Sequence, residues 1–128
     1  MLQLLDTHLL LWAAYTPERL SARATAVIEA PEHSPAFSAA SIWEVAITAA
    51  LGRADFTADA RMLRRGLLDN GYAELPITSA HAAAVAALPA LHQDPFDRIL
   101  VAQARSEGIP LFTSDARVAA YGSPVELV

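Results

Sequence analysis

Short, continuously apolar runs alternate with longer stretches of helical periodicity along the whole chain, and few folds accommodate that alternation. A strand with no polar face must be covered on both sides, which calls for a mainly parallel sheet flanked by helices on both faces. Met1–Leu5 reads as the first buried strand, followed by a helix over Thr7–Tyr15 that Thr16-Pro17 ends. Ser21 caps a second helix through Ala30, with Leu20, Ala24, Val27 and Ile28 on one stripe. Pro31 to Pro35 is a turn, and Ala36-Phe37 belongs to a second strand. Ala39–Leu51 is helical by the spacing of Ile42, Val45, Ala46 and Ala49, and Gly52 ends it. A helix over Ala58–Asp69, a strand within Tyr72–Ile77 and a helix over Ser79–Leu88 come next. Pro95–Glu107 is the best-defined helix, opened by Asp94-Pro95 and closed by Gly108. Ile109–Thr113 is a buried strand, Ala116–Tyr121 a short helix and Val125–Val128 a final strand.

With 128 residues there is room for one core and little more. The absence of cysteine excludes a disulfide framework and a thiolate metal site. Met1 to Tyr15 carries Asp6 and His8 and lacks a basic leader, so it reads poorly as a signal peptide. No apolar run approaches the roughly 18–20 residues of a membrane span, and a soluble cytoplasmic protein is the default expectation.

In a parallel sheet, ligands bind just beyond the carboxyl ends of the strands. Asp6 follows the first strand at once, and Asp115 follows Leu111-Phe112-Thr113 by one residue. Each serves equally well as a helix cap or as a ligand. Glu44 completes a capping box if its helix starts at Ser41; if Ser38 is the cap, which the apolar pattern favours, it falls in the second turn and is free for other work. Asp94 before Pro95 is a strong helix-start signal, so a cap is the preferred reading. Asp97 differs, because Leu100, Val101 and Ala104 share its helix face. A lone carboxylate there costs several kcal/mol or takes up a proton, and a bound metal ion removes that conflict. Hard divalent ions prefer oxygen ligands and assist phosphodiester hydrolysis, so several converging carboxylates point to that chemistry. His8, His33, His81 and His92 are scattered and read as surface or helix-end residues.

The formal charge of −5 argues at first against nucleic acid. Setting aside Asp6, Glu44, Asp97 and Asp115 leaves −5 + 4 = −1, close to neutral. All nine basic residues are arginine, and Arg53, Arg61, Arg64 and Arg65 fall in one stretch that is either a phosphate-touching rim or a solvated helix face.

Four segments together carry a resemblance. Leu-Leu-Asp-Thr-His at 4–8, Ser-Ile-Trp-Glu-Val-Ala-Ile at 41–47, His-Gln-Asp-Pro-Phe-Asp-Arg-Ile-Leu-Val-Ala-Gln-Ala at 92–104 and Thr-Ser-Asp at 113–115 resemble, in order and spacing, the PIN-domain ribonucleases, specifically the VapC-type toxins of toxin–antitoxin pairs. The resemblance covers essentially the whole chain and implies one PIN domain over residues 1–128. It implies a metal-dependent endoribonuclease using Mg²⁺, with Mn²⁺ as an alternative. Asp6 and Asp97 would be the principal ligands, Asp115 would complete the site, and Glu44 would ligate metal or position the attacking water. It also allows Asp94 to widen the metal site, contrary to the cap reading, and Thr113 and Ser114 to orient Asp115 or contact phosphate. RNA as substrate, a cognate antitoxin and homodimerisation are the partners it implies. The apolar first helix, with Leu10, Leu11, Trp12 and Tyr15, offers a surface for such a partner, although core packing is the commoner reason for such a stripe.

Two other functions fit some of these residues. A phosphatase or phosphotransferase would use Asp6 as nucleophile, but residue 8 is His rather than a second Asp and no lysine is present. A non-catalytic RNA- or protein-binding module of the same fold would not need the full acidic set.

Overall fold

A computed structural model describes residues 1–52 and 57–128, so Arg53 of the arginine stretch lies outside the described residues. The strands are β1 (Leu2–Leu5), β2 (Ser34–Ser38), β3 (Ala73–Leu75), β4 (Leu111–Thr113) and β5 (Val125–Leu127). The helices are α1 (Thr7–Tyr15), α2 (Ala22–Glu29), α3 (Ala39–Ala50), α4 (Ala60–Asp69), α5 (Ser79–Ala84), α6 (Pro95–Glu107) and α7 (Ala116–Ala119). All five strands are parallel, in the order β3-β2-β1-β4-β5. Among the described residues, no helix is long and apolar enough to cross a membrane.

Side-chain alternation along the strands divides the core into two layers. Leu4, Ala36 and Leu111 face one way, with Leu100, Val101 and Ala104 of α6 and Val118 of α7. Their neighbours Leu5, Phe37 and Phe112 face the other, with Leu9 and Leu10 of α1, Ala24 of α2, Val45 of α3, and Leu63 and Leu67 of α4. A strand buried on both sides cannot carry polar residues in alternation, so the apolar runs of the sequence and the two-layer core are one fact.

The expected elements are present, with shifted ends. β2 begins at Ser34, inside the segment read as a turn. α4 starts at Ala60 because Asp59 caps it, its side chain accepting from Met62 N. The segment after Thr78 is helical only through Ala84 and then tightens into a 3-10 turn over Val85–Ala87. β4 starts at Leu111 because the Ile109 N–H still serves α6, donating to Ala104 O. Gly108 adopts φ 66°, the left-handed conformation that closes a helix in this way. Within α3 the apolar residues do not all face inward. Of the expected stripe, Val45 is buried and Ile42 half-buried, whereas Ala46 and Ala49 are exposed, as are Trp43 and Ile47 beside it.

Strand order reverses between β1 and β4. That reversal opens a crevice where helices leave in opposite directions, beyond the strands' carboxyl ends. Asp6 leaves β1 and Thr113 ends β4 at this point.

Candidate active site

Asp6 occupies the bottom of the crevice and is only 3% exposed. It caps α1, with Oδ1 accepting from Leu9 N at 2.9 Å. Oδ2 accepts from the Thr113 hydroxyl, which in turn accepts from Asp115 N at 3.0 Å. Asp6 therefore caps α1 while its second oxygen is held by Thr113. Burial pushes its carboxyl above the usual range, and the hydrogen bonds from Thr113 and Leu9 only partly offset this.

Ser38 caps α3, its hydroxyl accepting from Ala40 N and donating to Gln103 Oε1. The helix thus starts before Ser41, and Glu44 lies in its second turn, beyond any capping role. Glu44 accepts instead from Thr7 Oγ1 at 2.7 Å. Its carboxyl is raised by burial, and further by the nearby charges of Asp94 and Asp97.

Asp94 caps α6, accepting from Phe96 N at 2.9 Å and Asp97 N at 3.2 Å, with Pro95 in the first turn. This is the role preferred from the sequence. Asp97 shares a face with buried Leu100, Val101 and Ala104, as its spacing predicts, but it is not a lone carboxylate in an apolar layer. Its side chain keeps 18% exposure at the mouth of the crevice, and Oδ2 lies 3.3 Å from His92 Nε2. Burial raises its pKa first, then the charges of Asp94 and Asp6, while the His92 hydrogen bond works the other way.

Asp115 stands where the end of β4 requires, and caps α7 through Arg117 N. Its carboxylate is turned to the Arg117 guanidinium, with Nη2 at 3.0 Å from Oδ2, and this pairing holds its pKa below the usual value. Among the described residues, the arginine in contact with one of the four acids is Arg117. Arg61, Arg64 and Arg65 are exposed on α4, and Arg64 pairs with Glu74 at 3.2 Å.

The side chains of two histidines are covered rather than at the surface, although His81 fits the helix-end alternative. His81 is 2% exposed within the capping box of α5, with Nε2 at 2.8 Å from Glu107 Oε2. His92 is enclosed between Asp97 and Tyr121. Thr7, His92 and Tyr121 are site components that periodicity could not reveal, because each acts through a partner distant in sequence. The only signal was that Thr7 and His92 lie inside the Leu-Leu-Asp-Thr-His and His-Gln-Asp-Pro-Phe-Asp-Arg segments.

Asp6, Glu44 and Asp97 thus form a like-charged set with raised pKa values. None of the three is paired with an arginine among the described residues. Among the described residues, no group of three acids and histidines is already gathered closely enough to hold a metal ion, because each carboxylate is turned to a protein donor. The donor set nevertheless suits a hard divalent cation. It is all oxygen, is partly or wholly desolvated, and repels itself when ionised.

A family model of the PIN domain matches residues 4–123. No curated protein matches the chain. Among solved structures, the chain is similar to VapBC2 from Rickettsia felis bound to a DNA fragment from their promoter, at 12% identity and a TM-score of 0.71, over 100% of this chain and 98% of that one. It is also similar to a toxin-antitoxin complex from Klebsiella pneumoniae, at 20% identity and a TM-score of 0.65, over 97% and 95% of the two chains. A third is VapBC-5 of Mycobacterium tuberculosis, a member of the VapBC family of toxin-antitoxin systems, at 22% identity and a TM-score of 0.61, over 99% and 97%.

Proposed function

Because this chain belongs to the PIN domain family, we propose that it is a metal-dependent endoribonuclease and the toxin of a toxin–antitoxin pair, with residues 1–128 forming one such domain. The observation that carries the reading is the like-charged set of Asp6, Glu44 and Asp97 at the strand reversal, partly or wholly desolvated and, among the described residues, without an arginine partner. Such an arrangement destabilises the protein unless a cation joins it. Similarity to solved toxin–antitoxin complexes supports the cytoplasmic toxin reading and an antitoxin partner, and the same reading includes a homodimer.

Asp6 and Asp97 would hold the metal, Mg²⁺ or Mn²⁺, with Asp115 completing the site. When bound, the metal supplies phosphate binding, water activation and charge stabilisation on the leaving oxygen. The chain's own residues do the positioning. Thr113 fixes the Asp6 carboxylate and the backbone of Asp115 together, through one hydroxyl. Thr7 holds Glu44, which would orient the attacking water or add a ligand. Arg117 is exposed, and by exchanging Asp115 for phosphate it would release that carboxylate as RNA arrives. A phosphatase using Asp6 as nucleophile is disfavoured, because residue 8 is His rather than a second Asp and the chain has no lysine to steady a phospho-aspartate.

Purified protein should cleave RNA internally with Mg²⁺ or Mn²⁺, and lose that activity in excess chelator. Undiminished cleavage in chelator, or inorganic phosphate as the product, would overturn the proposal. Asp94 provides a separate check. Asparagine caps helices as well as aspartate, so Asp94→Asn should keep activity within about threefold and preserve stability. A loss comparable to that of Asp97→Asn would make Asp94 a ligand rather than a cap.

A further inference from the structure

A chain of hydrogen bonds runs from Arg98 to Asp97 by a route that leaves α6 and returns to it. Arg98 Nη1 lies 2.9 Å from Tyr121 Oη, Tyr121 Oη lies 2.7 Å from His92 Nδ1, and His92 Nε2 lies 3.3 Å from Asp97 Oδ2. Its ends fix its direction. A guanidinium can only donate, and an ionised carboxylate can only accept. A neutral imidazole carries a single N–H, which must point to Asp97, leaving Nδ1 as the acceptor. Tyr121 then accepts from Arg98 and donates its one proton to His92, so every group is satisfied. The reverse arrangement would leave the Tyr121 hydroxyl proton without its His92 acceptor, and a bare nitrogen facing the Asp97 carboxylate.

We infer that Tyr121, through His92, is a positioning residue for Asp97: it fixes the imidazole as the Nε2–H tautomer and so aims one carboxylate oxygen, leaving the other for metal. The inference rests on reading Asp97 as a metal ligand. The surroundings suit a rigid positioning device. Tyr121 is buried, its ring meets the His92 ring edge-on with centroids 5.3 Å apart, and the His92 side chain is 9% exposed. Arg98 also anchors the segment leading into α6, donating to Pro89 O at 2.9 Å and to His92 O at 3.4 Å. Partners that orient a ligating side chain from behind matter nearly as much as the ligand, and their loss typically costs about 10–100-fold in metal affinity or activity.

The test measures metal and tautomer without RNA. Nitrogen-15 spectra of the imidazole side chains should show wild-type His92 protonated on Nε2, and a shift toward the Nδ1–H form in Tyr121→Phe. Mn²⁺ affinity, read from water proton relaxation, should fall about tenfold in Tyr121→Phe. His92→Gln, whose amide nitrogen can donate from the Nε2 position, should retain more affinity than His92→Ala. A wild-type Nδ1–H tautomer overturns the inference, as does Tyr121→Phe binding Mn²⁺ within twofold of wild type. Should Tyr121→Phe fail to fold, equal losses in His92→Gln and His92→Ala overturn it instead. Wild-type protein that binds no Mn²⁺ would sink the metal reading of Asp97, while the tautomer measurement would still decide the relay.

Discussion

Asp97→Asn should reduce RNA cleavage by at least about a hundredfold and leave the fold unchanged. The magnitude follows from the rule that removing only a partner of a metal ligand already costs about 10–100-fold, so removing the ligand's charge should cost no less. The fold should survive because Asp97 does not cap its helix. That work belongs to Asp94, and the first turn is further set by Pro95. Asparagine matches aspartate in size, so the packing of Leu100 and Val101 beneath it is untouched. Helix content by circular dichroism and the melting temperature without metal should therefore match or exceed wild type. Cleavage of total RNA by Asp97→Asn at the wild-type rate and sites would remove the metal role from this residue.

The second large effect is an inversion between stability and activity at Asp6. Folding raises the pKa of Asp6, Glu44 and Asp97, so the metal-free folded state binds protons more tightly than the unfolded chain. Stability then falls as pH rises. The contribution of these groups is fully present below their unfolded values, and is lost as pH climbs through the raised folded values. Asp115 has the opposite sign, losing its contribution as pH falls, but its partner Arg117 is exposed and the pair is screened. Metal-free wild type should therefore be more stable just below the ordinary carboxylate range than at neutral pH. Asp6→Asn should raise the neutral-pH melting temperature. The amide oxygen can still accept from Leu9 N while the charge is gone. Divalent metal at a hundred times its Kd should stabilise wild type by about 2.7 kcal/mol, whereas Asp6→Asn should gain little and cleave no RNA. A variant less stable than wild type at neutral pH would show that the Thr113 hydrogen bond outweighs relief of the buried charge.

What the sequence made legible were features whose cause is local. The Ser38 start of α3 follows from apolar spacing, and it frees Glu44 from capping. Asp94-Pro95 and Gly108 mark both ends of α6 because capping depends on a few adjacent residues. Asp6 and Asp115 follow from the rule that sites form where parallel strands end. The partners of those acids were not legible. Thr7 meets Glu44 across 37 positions, and His92 meets Tyr121 across 29. No periodicity encodes such pairings, so His92 read as a surface residue. Composition misled in one place. Arginines are dense on α4, whereas Arg117, isolated in sequence, is the one that meets an acid of the set among the described residues. The apolar spacing of α3 also ran further than its buried face, since Ala46 and Ala49 are exposed.

The parallel order of the sheet has a consequence for synthesis. β1 is made first, yet one of its two neighbours is β4, and the hydroxyl that seats Asp6 comes from Thr113, 107 residues later. A ribosome delivers the chain at about 5–20 residues per second, so for most of that interval Asp6 has no Thr113 to hold it and Asp97 no Tyr121 to set its histidine. If these acids form the site, it stays incomplete until Thr113 and Tyr121 have both been made. For a protein that cuts RNA, that order of synthesis delays activity behind most of the fold.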